Sequence, residues 1–187
     1  MSTTLANENI NDQVTDAPLG FAENPAAVIE ALYQKVYQQQ MQGLPICNDD
    51  IEVEAVGFHL WQDQWLGIMI TPWFTNLLIL RQQGQHWPEF KLAKGNEKML
   101  SFPAGEIKFT PRFEPELGSY LCCSLVSPMN ECPSHQQAVL DAKNALRQLT
   151  QVSIDVKVIE NNEDSSAEFS TKQHARRNFL RGKRQSA

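Results

Sequence analysis

The sequence predicts an α+β domain, a mainly antiparallel β-sheet with one helix before it and one after it. Apolar residues recur at helical spacing near residue 30, alternate with a period of two over much of residues 49–127, and return to helical spacing after residue 134. The stretches between the alternating segments are too short for the crossovers that parallel strands require. Once a polar stretch is set aside at each end of the 187 residues, about 130 remain, enough for one domain with its own core and too few for two.

Residues 1–20 are polar, small and aperiodic, and read as a disordered arm. They hold no basic n-region and no apolar h-region, so they do not read as a secretory signal. A helix then opens with Asn24 as N-cap and Pro25 at the first helical position, where a missing N–H costs nothing. Val28, Ile29, Leu32, Tyr33 and Val36 form its apolar stripe, and Gly43 and Pro45 stop it. From Asp49 onward, Ile51, Val53 and Ala55 alternate with Asp50, Glu52 and Glu54, which predicts a strand with three carboxylates on one face.

Gln62-Asp63-Gln64 reads as a turn into a returning strand over 65–70. The uncharged run 65–80, WLGIMITPWFTNLLIL, falls short of the ~20 residues of a membrane-spanning helix. Thr71, Pro72, Thr75 and Asn76 interrupt it, so two buried strands about a Pro-Trp break are expected, and no membrane insertion. Further strands are expected over 77–81, 98–102 and 106–110, the last with Ile107 and Phe109 inward. Residues 119–127, SYLCCSLVS, are almost continuously apolar and suit a central strand. Ser134 with Gln137 forms a capping box for the second helix. Ala138, Ala142, Ala145, Leu146 and Leu149 make its buried stripe, and the small alanines predict a close approach to the sheet. The folded domain thus spans 21–158, followed over 159–187 by an acidic linker and a basic tail.

With 16 basic and 22 acidic residues the chain carries a net charge of −6, which argues against nucleic acid as a partner. Its four cysteines follow no disulfide framework and suit the cytoplasm. From Glu168 on there are six Lys or Arg and one acid, whereas residues 1–167 hold ten bases and 21 acids. Such a polarised molecule can fold its tail back or offer it to an acidic partner. Inside the tail, Arg176-Arg177-Asn178-Phe179-Leu180-Arg181 is similar to the twin-arginine export signal, Arg-Arg-x-Phe-Leu-Lys. That signal works at an N-terminus ahead of an apolar segment. Only a short polar stretch follows here, so the tail is expected to imitate a signal carried by another protein. Guanidinium pairs want bidentate carboxylates. The Asp50, Glu52 and Glu54 face is one candidate surface and Glu114 with Glu116 another, although a solvated strand face accounts for any one of these acids singly.

Other chemistry is thinner. Cys132-Pro133-Ser134-His135 places a C-x-x-H pair beside a helix start, where a thiolate is favoured. With Cys123 it offers three ligands for nickel or zinc, although a loop Cys next to a helix-start His is commonly no more than that. Cys122 and Cys123 are adjacent and face opposite sides of a strand. No spacing ties Cys123, His59 and an acid into a nucleophilic set, and no phosphate loop, dinucleotide fingerprint or H-E-x-x-H occurs, so neither catalysis nor a cofactor is expected. Pro72, Trp73 and Phe74 suit a peptide-binding hot spot, but on burial statistics alone a buried turn with Trp73 in the core suits them better.

Residues 67–77, GIMITPWFTNL, resemble the G-x-x-I-T-P-W-F/M-x-x-L block of the HybE family of nickel–iron hydrogenase assembly chaperones. Phe102-Pro103-Ala104-Gly105 with Phe109 resembles its next block, and Ser119 to Met129, SYLCCSLVSPM, resembles its Y-x-x-C-S-L-x-S-P-M/L block. The tail from Arg176 to Gly182 is similar to the family's R-R-x-x-L-x-G end. The resemblance implies a cytoplasmic accessory protein that holds the twin-arginine signal peptide of the hydrogenase small subunit and contacts the large-subunit precursor until cofactors are inserted. It implies a groove lined by Pro72, Trp73 and Phe74 with Ser127, Pro128 and Met129. The tail's own residues leave two expectations open: it covers that groove as a signal mimic displaced by client, or it engages another component that reads twin-arginine sequences. Some relatives carry a rubredoxin module with two C-x-x-C pairs; this chain has no C-x-x-C, and no iron is expected. The alternative is a nickel-binding accessory protein built on Cys123, Cys132 and His135.

Overall fold

The computed structural model of the protein describes residues 20–88 and 96–151. The first helix, α1 (Ala26–Val36), begins one residue after the expected start, and Asn24 still caps it, its Oδ1 accepting the Ala26 N–H at 3.0 Å. Ile29 and Leu32 are its buried residues. The helix then widens into a π-turn (Tyr37–Met41), and Gly43, at φ +79°, turns the chain away.

Six strands follow: β1 (Glu54–Trp61), β2 (Gln64–Thr71), β3 (Phe74–Arg81), β4 (Lys98–Phe102), β5 (Gly105–Glu114) and β6 (Gly118–Val126). They form one antiparallel sheet in the order β1-β2-β3-β6-β5-β4. The turn between β1 and β2 is the two-residue kind with positive φ at both positions, Gln62 at +48° and Asp63 at +59°. The uncharged run 65–80 is the β2–β3 hairpin, folded at Pro72-Trp73, where Thr71 Oγ1 accepts the Phe74 N–H at 3.0 Å. Among the described residues no helix is long and apolar enough to cross a membrane.

Helix α2 (His135–Thr150) closes the fold, with Ser134 Oγ accepting the Gln137 N–H at 3.2 Å. The Gln137 amide bonds Asp141 at 2.8 Å instead of completing a capping box. The two helices lie on opposite faces of the sheet. Ile29 and Leu32 pack with Trp65, Met69, Leu78, Leu80 and Tyr120 on one face, and the α2 alanines pack with Leu66, Ile68, Leu77 and Ile79 on the other. Cys122 and Cys123 face these two layers separately, as neighbours on a strand must. Close approach of α2 has a partner in the strand beneath it. β1 bulges at Gly57, φ +66°, and a Cβ there would lie 2.6 Å from Leu146 Cδ1. Trp61 of edge strand β1 stacks at 4.3 Å on Phe102 of the other edge strand, so the sheet curls until its two edges meet.

Three boundaries differ from expectation. β1 starts at Glu54, not near Asp49, because Asn48 turns the chain: its Oδ1 accepts the Asp50 N–H at 3.0 Å and its carbonyl the Ile51 N–H at 3.1 Å. Ile51 is buried and Glu52 exposed, so alternation persists through backbone that joins no ladder. β3 begins earlier, at Phe74, because the Pro72-Trp73 turn is tight. β5 runs on through Pro111, which pairs with Leu121 of β6, whereas β4 pairs with β5 only as far as Phe109.

Candidate partner-binding site

Asn48 organises one end of the sheet. Its backbone N–H donates to the Pro72 carbonyl at 2.8 Å, and its Nδ2 donates to the carbonyls of Met129 at 3.1 Å and Cys132 at 2.9 Å. One residue thereby clips the loop after the π-turn to the β2–β3 turn through its backbone and to the segment after β6 through its side chain. Ser127 Oγ adds a bond to the Trp73 carbonyl at 3.4 Å, and Thr75 Oγ1 donates to Met129 Sδ at 3.3 Å. The two sequence blocks that end in Pro72-Trp73-Phe74 and Ser127-Pro128-Met129 therefore meet.

They do not meet as an open groove. Trp73 is 8% exposed and Met129 1%, and Pro72 is buried as well. Trp73 stacks on Tyr37 at 6.1 Å and meets Phe74 edge-on at 5.4 Å, while Phe74 does the same with Tyr33 at 5.4 Å. Trp73 and Met129 are thus the underlay of the site. In the segments that the Asn48 bonds draw together, Leu44 and Ile46 are 44% and 42% exposed, and Pro45, Ser127 and Pro128 are exposed too, the last following a cis peptide bond.

The rim is acidic. Residues 42–54 and 127–135 hold Asp49, Asp50, Glu52, Glu54 and Glu131 and no Lys or Arg. Desolvation and then the nearby charge of Asp49 push the Tyr37 phenol above its ordinary pKa. The carboxylates expected on one strand face are divided: Asp50 and Glu52 are exposed, but Glu54 Oε2 lies 2.8 Å from His135 Nε2. The other ring nitrogen of His135, Nδ1, accepts the Glu52 N–H at 3.3 Å.

His135 is therefore engaged at both nitrogens, which lends no support to the alternative nickel or zinc set of Cys123, Cys132 and His135. Cys132 Sγ donates to the Ser134 carbonyl at 3.5 Å, and burial pushes its thiol up, where a thiolate was expected. Cys123 Sγ lies 3.9 Å from the Ser124 carbonyl. Among the described residues no three His, Cys, Asp or Glu side chains are grouped to hold a metal. The second acidic candidate is partly engaged too, with Glu116 3.7 Å from Lys35. Burial and then the Glu116 charge raise the Glu114 carboxyl.

Asn48 was missed in the sequence; its signal is the Asn-Asp-Asp turn ahead of an alternating stretch. Also missed is a cavity of about 340 Å³ at the opposite end, lined in part by Trp61, Ile79, Trp87, Leu100 and Leu121. The tail residues Arg176, Arg177, Phe179, Leu180 and Arg181 lie outside the described residues, as do residues 1–19 of the N-terminal arm.

The model of the family described as NiFe-hydrogenase assembly, chaperone, HybE matches residues 24–182, a span that includes the Arg176 to Arg181 run. The hydrogenase expression/formation protein HupJ of Bradyrhizobium diazoefficiens is 32% identical over 173 residues, covering 87% of this chain and 95% of that one. The hydrogenase-2 operon protein HybE of Escherichia coli strain K12 is 31% identical over 125 residues, 66% of this chain and 75% of its own. The fold is similar to the solution structure of HybE from Escherichia coli, with a TM-score of 0.58 at 24% identity over 92% of this chain and 98% of that one.

Proposed function

The chain belongs to the HybE family of NiFe-hydrogenase assembly chaperones, and from that premise we propose that it binds the twin-arginine signal peptide of a hydrogenase small subunit, and the large-subunit precursor, in the cytoplasm before export. It acts by holding partners and carries out no catalysis, with no cofactor of its own. The observation that supports this reading most is the Asn48 clip, which draws the Pro72-Trp73-Phe74 and Ser127-Pro128-Met129 blocks together beneath one surface. That surface combines exposed Leu44, Ile46 and Pro128 with the acids Asp49, Asp50 and Glu131. A twin-arginine signal carries the complement: two guanidiniums for the carboxylates and an apolar stretch for the apolar skin. Trp73 contributes from below, by holding the surface in shape.

Calorimetry of the full protein against a small-subunit signal peptide tests the reading, with a Lys-Lys version of the same peptide as control. Lysine keeps the charge and loses the fork that grips a carboxylate with two bonds. A Kd on the order of micromolar is expected, lost in the control. Absence of binding to either peptide would leave the large-subunit precursor as the contact.

A further inference from the structure

We infer that the chain's own residues 176–181 dock on the clip surface formed by Leu44, Ile46, Pro128, Asp49, Asp50 and Glu131, and compete there with the client signal. This inference rests on the signal-binding reading above for the identity of the competitor, but not for the docking itself.

Three observations carry it. The first is complementarity of order and charge. The tail presents Arg176-Arg177 followed by Phe179-Leu180, in a segment from Glu168 on with six bases and one acid. The clip surface presents acids without a Lys or Arg in either contributing segment, next to two half-exposed aliphatic side chains. Paired guanidiniums and a following apolar pair need both features together. Leu44 and Ile46 offer the second independently of the acids.

The second is reach. Helix α2 starts at the clip, with His135 against Glu54, and its 16 residues carry the chain away from it by ~24 Å. From Gln151, the last described residue, to Arg176 there are 25 residues, with a contour of up to ~80 Å. The tail therefore reaches back to the clip with length to spare. The third is continuity: the family match takes in both the clip segments and the tail, running from residue 24 to residue 182.

Tethering sets the size of the effect. A tether of this kind holds its end at roughly millimolar local concentration. A tail that binds the clip with a Kd of roughly 0.3 mM then weakens client binding about fourfold.

The test compares amide NMR spectra of the full-length protein with those of the full-length Arg176→Gln, Arg177→Gln variant, and the affinity of each for the signal peptide. Beyond the substituted residues and their immediate chain neighbours, shift differences confined to residues 44–50 and 127–133, independent of protein concentration, are expected. The variant is expected to bind the signal peptide three- to fivefold tighter. Spectra that superimpose at those residues, or differences that fall elsewhere in residues 20–151, overturn docking. Differences that grow with concentration assign the surface to the tail of a second copy and overturn the intramolecular arrangement. Docking shifts with unchanged client affinity overturn competition. If neither protein binds the signal peptide, competition is overturned together with the signal-binding reading, while the spectra still decide whether the tail docks.

Discussion

The two ends of the sheet are built on different principles. At the far end, Trp61, Phe102 and Phe109 stack in series at 4.3 and 6.0 Å beside a cavity of about 340 Å³, and the two sheet edges are joined by aromatic area. At the clip end, three backbone carbonyls from separated segments and the nearby amides of Asp50 and Ile51 converge on Asn48. Aromatic burial is non-directional and large, whereas an exchanged hydrogen bond contributes only ~1 kcal/mol net but fixes position and angle. The far end thus contributes stability and the clip end geometry. The acids and the exposed aliphatics lie with the geometry.

The largest expected effect comes from the far end. Phe109 is fully buried, and Phe109→Ala is expected to cost about 3–5 kcal/mol in urea unfolding while leaving the signal-peptide Kd unchanged under folding conditions. A Kd that weakens with stability would mean that the ends are coupled and would break the contrast. Asn48→Ala is expected to cost less, about 2–3 kcal/mol, since it strips the side-chain donors from the Met129 and Cys132 carbonyls and the acceptor from the Asp50 N–H. It is also expected to weaken the Kd by at least about tenfold, as the loop and the segment after β6 drift apart. An Asn48→Ala protein with normal affinity would show that the clip serves the fold alone.

The same contrast explains what the sequence discloses. Elements held by repeating apolar contacts are legible, because periodicity is their cause: the β2–β3 hairpin is written in a run broken by Pro72, and α2 in its alanines and in Ser134. Residues 50–53 mislead because an extended chain alternates in burial whether or not a neighbour pairs with it. Pro111 misleads because its tolerance depends on where β4 stops. The clip is barely legible, since one asparagine bonding segments 81 and 84 residues away leaves no period. Trp73 reads as pocket or as core until the turn around it is built, and then the Tyr37 ring and the Ser127 bond place it underneath. The Cys132-His135 spacing looks like a metal pair because spacing cannot show that Glu54, 81 residues away, has taken the ring.

Smaller changes sharpen the comparison within the acidic rim. Asp49→Asn with Asp50→Asn leaves the backbone bond from Asp50 to Asn48 intact, so stability is expected to stay within about 0.5 kcal/mol. The Kd for a twin-arginine peptide is expected to weaken about tenfold at low salt, and by less at high salt where screening already weakens the pair. Equal loss for twin-arginine and twin-lysine peptides would reduce the rim to a general field.

The smallest effect belongs to the rival acidic surface at the β5–β6 turn. Glu114 has its carboxyl raised above the ordinary value of 4.5, by burial first and by the Glu116 charge second. A raised value means that the folded chain holds the proton more tightly than the unfolded one. Stability therefore falls as pH rises from the ordinary value through the raised one, and the penalty stands in full at neutral pH. Glu114→Gln removes the penalty, so the variant is expected to melt slightly higher than the parent at pH 7, by no more than about 2 °C given its solvent access. The two should converge in acid, below about pH 4, where the parent carboxyl is protonated in both states. A carboxylate whose pKa is raised is also what an arginine-reading site looks like before its ligand arrives, and the variant separates the two accounts. Unchanged peptide affinity leaves Glu114 as a cost of closing the β5–β6 turn, whereas a tenfold loss would move the arginine site away from the clip and dissolve the contrast between the ends.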